Sequence, residues 1–240
     1  MNYIKQNIDN LTHLWKIAGQ TFQGYSKNSE YSLSIIDKAE WPNRIWIESP
    51  PSVTSLEEVS LKMKNHTELT FSYFKQHQEN DNFTTLNHFK LKSLQYGMSL
   101  PLNKKIKTKR KIEFIQVNNE VKASLWSNAF FDAFGYRITA NTVVKTCNEI
   151  QYFLVYDNKN IVGTVILLVT NNTAGIHSLG VIQSQRKKGY ALSIMHHILN
   201  KAIDLNCNLA TLQASEMAKN MYLKMGFTTN FLMENYTLKQ

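Results

Sequence analysis

Apolar and polar positions change period several times along residues 111–240, and the changes mark the elements. Lys111–Val117 (KIEFIQV) alternates like a strand. Val121–Phe134 is apolar at Val121, Leu125, Ala129, Phe130 and Ala133, a helical spacing, and Thr139–Cys147 reads as a second, short helix. Gln151–Tyr156 and Ile161–Val169 are rich in β-formers, with Asp157–Asn160 as the turn of a hairpin. Ala174–Ile182 is a further strand. Lys188–Leu205 is an amphipathic helix with Leu192, Met195, Leu199, Ala202 and Ile203 on one side. Leu209–Gln213 is a strand, Glu216–Met225 a helix stopped by Gly226, and Phe231–Leu238 a closing strand. The order β-α-α-β-β-β-α-β-α-β predicts an α/β fold around a mixed sheet.

The first hundred residues are less regular. Ile8–Phe22 predicts a helix, and so does Thr54–Lys64, where Thr54 and Glu57 have the spacing of a capping box. Arg44–Glu48, Glu68–Phe74 and Leu91–Leu100 predict strands. Between the two regions Lys104, Lys105, Lys107, Lys109, Arg110 and Lys111 crowd one short segment, which reads as a solvated linker. The expected division is therefore an N-terminal module over 1–102, a basic linker over 103–110 and a second domain over 111–240.

Charge and cysteines narrow the chemistry. The formal net charge is +9, which favours anionic partners. The basic run carries neither interleaved aromatics nor a groove-reading helix, so nucleic acid is not an expected partner. Cys147 and Cys207 are the only cysteines and have no metal spacing, so no metal is expected. The start MNYIKQNIDN has no signal-peptide apolar region, and no run reaches the ~18 apolar residues of a membrane span, so the expected location is cytoplasmic.

The chemically informative stretch is Leu179-Gly-Val-Ile-Gln-Ser-Gln-Arg186-Lys-Lys-Gly189-Tyr-Ala191. A strand ends, a turn exposes backbone N–H groups, and a helix begins. Unpaired N–H groups and the helix dipole make an anion site there. Gly189 and Ala191 are small enough for close approach, and Arg186, Lys187 and Lys188 add positive charge.

This stretch resembles motif A of the GNAT superfamily, Arg/Gln-x-x-Gly-x-Gly/Ala, here Arg186-Lys-Lys-Gly189-Tyr-Ala191. Ser215-Glu-Met-Ala218-Lys-Asn-Met-Tyr222-Leu-Lys-Met-Gly226-Phe227 resembles motif B of the same family, in the right order after a strand. Gln183 stands where Pro is common, Lys187 replaces a frequent Gly, and Ser215 replaces the usual Asn. Trp41–Trp46 and the SLQYGMSL stretch resemble the degenerate N-terminal module of tandem GNAT proteins, which lacks motif A.

The resemblance implies the GNAT acyl-CoA N-acyltransferase fold, preceded by a smaller degenerate GNAT-like α/β module. It implies an N-acetyltransferase that moves the acetyl group of acetyl-CoA directly to a primary amine of a small molecule or peptide. Arg186, Lys187, Lys188, Gly189, Tyr190 and Ala191 would hold the coenzyme A pyrophosphate. Leu179, Gly180 and Val181 would hold the pantetheine through their backbone, with a Gly180 or Val181 N–H as oxyanion donor. Ser215 would cap its helix or touch the pantetheine. Tyr222 would protonate the leaving thiolate, a phenol of ordinary pKa ~10 facing a thiol of ~8.5. His177 is the candidate base, since strand residues two apart share a face with Leu179 and Val181; a water chain to a distant carboxylate is the alternative. Phe134, Tyr136 and Asp132 would border the acceptor. The acceptor itself stays open, as do the readings as a protein lysine acetyltransferase or a non-catalytic acyl-CoA sensor or scaffold. Monomer and homodimer are equally compatible with the sequence.

Overall fold

The computed structural model of the chain describes residues 2–48, 50–75 and 88–239. In chain order the elements are α1 (Tyr3–Thr21), β1 (Tyr25–Lys27), β2 (Ser32–Ser34), β3 (Arg44–Trp46), α2 (Val53–Asn65), β4 (Thr70–Lys75) and β5 (Phe89–Pro101). They continue with β6 (Glu113–Gln116), α3 (Glu120–Phe134), α4 (Ala140–Thr146), β7 (Gln151–Asp157), β8 (Asn160–Thr170) and β9 (Thr173–Val181). A 3-10 turn (Gln183–Gln185), α5 (Tyr190–Asp204), β10 (Leu209–Ser215), α6 (Glu216–Lys224) and β11 (Thr228–Leu238) complete the chain. No helix among the described residues is long and apolar enough to cross a membrane.

These elements form two compact units, neither continuous in sequence. One contains Met1–Ile4, Trp15–Met98 and Gln213–Gln240; the other contains Lys5–Leu14 and Ser99–Leu212. In the first unit the strands follow the order β1-β2-β3-β4-β11-β5, with β3 and β4 parallel and β4 and β11 antiparallel. Alternation along β4 sends Phe71 and Tyr73 to one face, where they join a core with Ile45, Val59, Met63, Phe89 and Tyr236. Phe74 points the other way and stacks on Trp15, with ring centroids 6.4 Å apart.

Two expectations for this region are corrected. The first helix starts at Tyr3 rather than Ile8. The capping box is Ser52/Ser55, not Thr54/Glu57: the Ser52 hydroxyl accepts from the Ser55 N–H at 3.0 Å, and the Ser55 hydroxyl accepts from the Ser52 N–H at 2.8 Å. Ser52 follows Pro50-Pro51 in an extended conformation, so it is the first residue able to cap. The short hairpin β1–β2 was not anticipated, since three-residue strands are too brief for a period to register.

In the second unit the strand order is β10-β9-β8-β7-β6. β6 to β9 are successively antiparallel, and β9 pairs with β10 in parallel. The Asp157–Asn160 turn joins β7 to β8 with Asn158 at φ 54°, a left-handed position Asn tolerates. Trp126 of α3 is fully buried, donates its indole N–H to the Phe153 carbonyl at 3.2 Å, and meets Tyr152 edge-on at 5.0 Å. Ile194, Met195, Ile198 and Leu199 bury the inner face of α5.

The basic segment is not a free linker. The Ile106 N–H donates to Asn200 Oδ1 at 2.7 Å, and Asn200 Nδ2 donates to the Ile106 carbonyl at 2.8 Å. Lys105 pairs with Asp204 at 2.5 Å, and His197 Nε2 lies 2.9 Å from the Arg110 carbonyl. A carbonyl only accepts, so His197 donates from Nε2. The backbone of the segment is thus fastened along α5, while Lys104, Lys105, Lys107 and Lys109 stay exposed.

Candidate active site

The site is built from the end of β9 onward. The parallel ladder with β10 runs over Leu209–Thr211 and ends where Thr211 pairs with Gly175. β9 continues to Val181 against β8. The stretch Ile176–Val181 therefore presents backbone groups that no β10 partner takes up.

That stretch is not a plain strand. Gly180 pairs with Thr164, whereas His177 pairs with Ile166, so three steps on β9 match two on β8. The extra residue is absorbed at Ser178, whose φ is 52°. The bulge changes face parity. His177 and Gly180 share a side of the sheet, and Leu179 and Val181 take the other, so the expected common face of His177, Leu179 and Val181 is corrected. The side of Gly180 is filled: a Cβ there would lie 2.4 Å from the Phe134 ring and 2.8 Å from the Ala133 Cβ.

After β9 the chain makes its 3-10 turn and enters α5 through Gly189, whose φ of 80° and ψ of 9° suit glycine. No side chain caps this helix, and a Cβ at Gly189 would meet nothing within 4 Å. Open space thus faces a helix N-terminus whose first N–H groups lack an intrahelical acceptor. Lys187 is exposed, with φ 62°. Lys188 donates to the Ser184 carbonyl at 3.0 Å and to Gln185 Oε1 at 2.9 Å, closing the turn on itself. Arg186 is spent differently from expectation. Its Nη2 donates to the Ala133 carbonyl at 2.6 Å and its Nε to the Val181 carbonyl at 3.4 Å, tying the turn to the last turn of α3. Tyr190 donates its hydroxyl to Asp157 Oδ2 at 2.8 Å, a bond that raises its pKa above the usual phenol value. Ala191 follows in the first turn of α5, half-buried.

His177 is 6% exposed, and its Nε2 lies 2.9 Å from Asn10 Oδ1. The Asn10 amide uses Nδ2 to donate to the Leu168 carbonyl at 3.0 Å and to Thr170 Oγ1 at 2.8 Å. Its Oδ1 must therefore accept, and the His177 proton sits on Nε2. Asn10 was not legible as a partner because it lies 167 residues away on α1.

In the other unit Ser215 begins α6 as its N-cap residue, yet its hydroxyl makes no cap bond. Glu216 accepts a short hydrogen bond from the Tyr96 hydroxyl, and Lys219 lies 3.8 Å above the Tyr96 ring. Tyr222 is 6% exposed and is the only buried residue of α6. Burial alone pushes its phenol up to about 12. Phe134 and Tyr136, the expected acceptor border, form an aromatic cluster with Phe130, at centroid distances of 4.6 and 5.0 Å. Asp132 accepts weakly from the Gln183 N–H at 3.5 Å. A groove of about 430 Å³, lined by Gln6, Asp9, His13, Val169, Thr170, Asn171 and Thr173, lies at the β8–β9 turn. It is at the far end of β9 from Gly189 and belongs to a different part of this unit.

Residues 116–227 match the model of the acetyltransferase (GNAT) family. A search of curated protein sequences finds no match. Among solved structures, a GCN5-related N-acetyltransferase from Kribbella flavida is similar at a TM-score of 0.66 and 12% identity, over 94% of this chain and 95% of that one. A GCN5-related N-acetyltransferase from Sphaerobacter thermophilus is similar at a TM-score of 0.63 and 13% identity, over 86% of this chain and 76% of that one. At such identities the likeness is one of fold, and it extends well before residue 116.

Proposed function

Residues 116–227 form a domain of the acetyltransferase (GNAT) family, and from that premise we propose that this chain transfers the acetyl group of acetyl-CoA directly to a primary amine of a small molecule or peptide. The observation that carries the reading is the entrance to α5: a left-handed Gly189 with open space above it, next to uncapped helix N–H groups. Such a site takes the two negative charges of a pyrophosphate without a clash or a competing side chain. We assign residues 111–240 as the catalytic segment and 1–102 as a supporting module that binds no coenzyme A of its own.

Acetyl-CoA supplies an activated acyl group; the chain's residues orient it and move protons. The turn Arg186–Ala191 holds the pyrophosphate, with Arg186 shaping the turn from below and Lys187 and Lys188 adding charge. Leu179, Gly180 and Val181 offer backbone groups to the pantetheine, and a Gly180 or Val181 N–H stabilises the oxyanion. Ser215 keeps its hydroxyl available for the same arm. Tyr222 donates to the departing sulfur. With the phenol near 12 and an ordinary thiol near ~8.5, full proton transfer is uphill by roughly 5 kcal/mol, so Tyr222 acts as a hydrogen-bond donor to the thiolate rather than as a complete acid. The bond of His177 to Asn10 makes it foremost a residue that holds α1 against β8 and β9.

The test is release of free thiol from acetyl-CoA across a panel of primary amines, diamines, amino acids and lysine peptides. At least one amine should raise the release rate more than ~10-fold over acetyl-CoA alone. Tight acetyl-CoA binding with no stimulation by any amine would favour the acyl-CoA sensor over the enzyme.

A further inference from the structure

The basic segment and Tyr190 make one continuous system along α5. Lys105 pairs with Asp204, the last residue of the helix. Ile106 exchanges two hydrogen bonds with Asn200, and the Arg110 carbonyl accepts from His197. The Arg110 guanidinium then lies 4.1 Å above the ring of Tyr190, the first residue of the helix. From His197, which holds the Arg110 carbonyl, to Tyr190 the helix rises about 10 Å at 1.5 Å per residue, and the Arg110 and Tyr190 side chains cover that stretch. One guanidinium nitrogen, Nη1, is buried with no hydrogen-bond partner among the described residues. On its other side the Tyr190 hydroxyl is fixed by Asp157 at the end of β7.

We propose that Tyr190 is a positioning residue for the pyrophosphate turn, latched between Asp157 and Arg110, and that segment 103–110 is the brace that holds the latch. This rests on the acetyl-CoA reading above. The latch sits one residue after Gly189, whose left-handed conformation aims the first N–H groups of α5. Nothing else caps that turn of helix. A ring clamped on one face by a cation and at its tip by a carboxylate fixes the direction of those N–H groups before any ligand arrives. Because its pKa is raised by the bond to Asp157, the phenol stays protonated and donating across the neutral range.

The experiment compares coenzyme A, measured by calorimetry, with pantetheine, which lacks the pyrophosphate, measured by NMR titration. Tyr190→Phe keeps the ring under Arg110 and removes only the bond to Asp157; Asp157→Asn weakens the same bond from the other side. Both variants should bind coenzyme A about 3- to 30-fold more weakly and pantetheine as the parent does, with melting temperatures close to the parent's. Parental coenzyme A affinity in both variants overturns the latch, and so does an equal loss for both ligands, since that would report general loosening. A parent chain that binds no coenzyme A removes the reading on which the latch rests and is told apart by that control. If Tyr190→Phe fails to fold, Asp157→Asn decides alone.

Discussion

His177 donates from Nε2 to Asn10 Oδ1 at 2.9 Å, and the pair joins α1 to the sheet of the second unit. Asn10 makes two further bonds, to Leu168 and Thr170, so one buried amide satisfies three partners. Removing it breaks three hydrogen bonds, two of them buried, which costs about 2–4 kcal/mol. Asn10→Ala should therefore lower the melting temperature by several degrees. His177→Asn should do likewise, while leaving the pH dependence of turnover in place. Loss of the acidic limb of that profile in His177→Asn, in a protein of parental stability, would restore His177 as the base.

Tyr222→Phe keeps the buried ring and its edge contact with Phe227 at 5.6 Å. Acetyl-CoA affinity should change little and turnover should fall by ~10- to 10³-fold. Because the phenol titrates near 12, the parent should show no alkaline limb from this group below pH ~10. A Phe variant with parental turnover would reduce Tyr222 to packing.

Burial raises the pKa of Tyr152, Tyr222 and Tyr236 above the unfolded phenol value, with a bond to Glu234 adding to the effect at Tyr236. The unfolded chain therefore releases protons first. Stability is intact below pH ~10 and falls above it, by about 1.4 kcal/mol per pH unit for each such tyrosine. Denaturation followed from pH 8 to 12 should show a steep loss beginning near 10, coincident with tyrosinate absorbance. Titration of these tyrosines well before unfolding would contradict their burial.

Gly180→Ala places a methyl group 2.8 Å from the Ala133 Cβ, which is fixed by the backbone of α3. The helix end or the bulge must shift, at a cost of about 1–3 kcal/mol. Acetyl-CoA affinity should fall together with stability, since the same strand is offered to the pantetheine. A variant of parental stability would show that the end of α3 yields freely.

The elements of residues 111–240 were legible because each is long enough to complete its period, and Gly189 was legible because a strand-to-helix turn demands it. Three features were not. The bulge at Ser178 breaks alternation without any residue type that announces it, so His177 was read onto the wrong face. The lysines of the basic run are exposed, as its charge implied, but the bonds of its backbone to Asn200 and His197, which decide its place, leave no mark in its composition. Arg186 was read as a charge for the ligand, but the carbonyls of Ala133 in α3 and Val181 in β9 claim its guanidinium. The last two are contacts between residues distant in sequence and the first is a register shift between neighbouring strands, and no local pattern encodes either.

The most direct measurement of the central claim is acetyl-CoA binding by calorimetry for the parent chain and for Gly189→Glu. The substitution puts a carboxylate and a strained left-handed conformation where the structure has open space and φ 80°. The parent should bind one acetyl-CoA per chain, and the variant at least ~100-fold more weakly. Equal affinity in the two proteins, or two acetyl-CoA molecules per chain, would contradict the account.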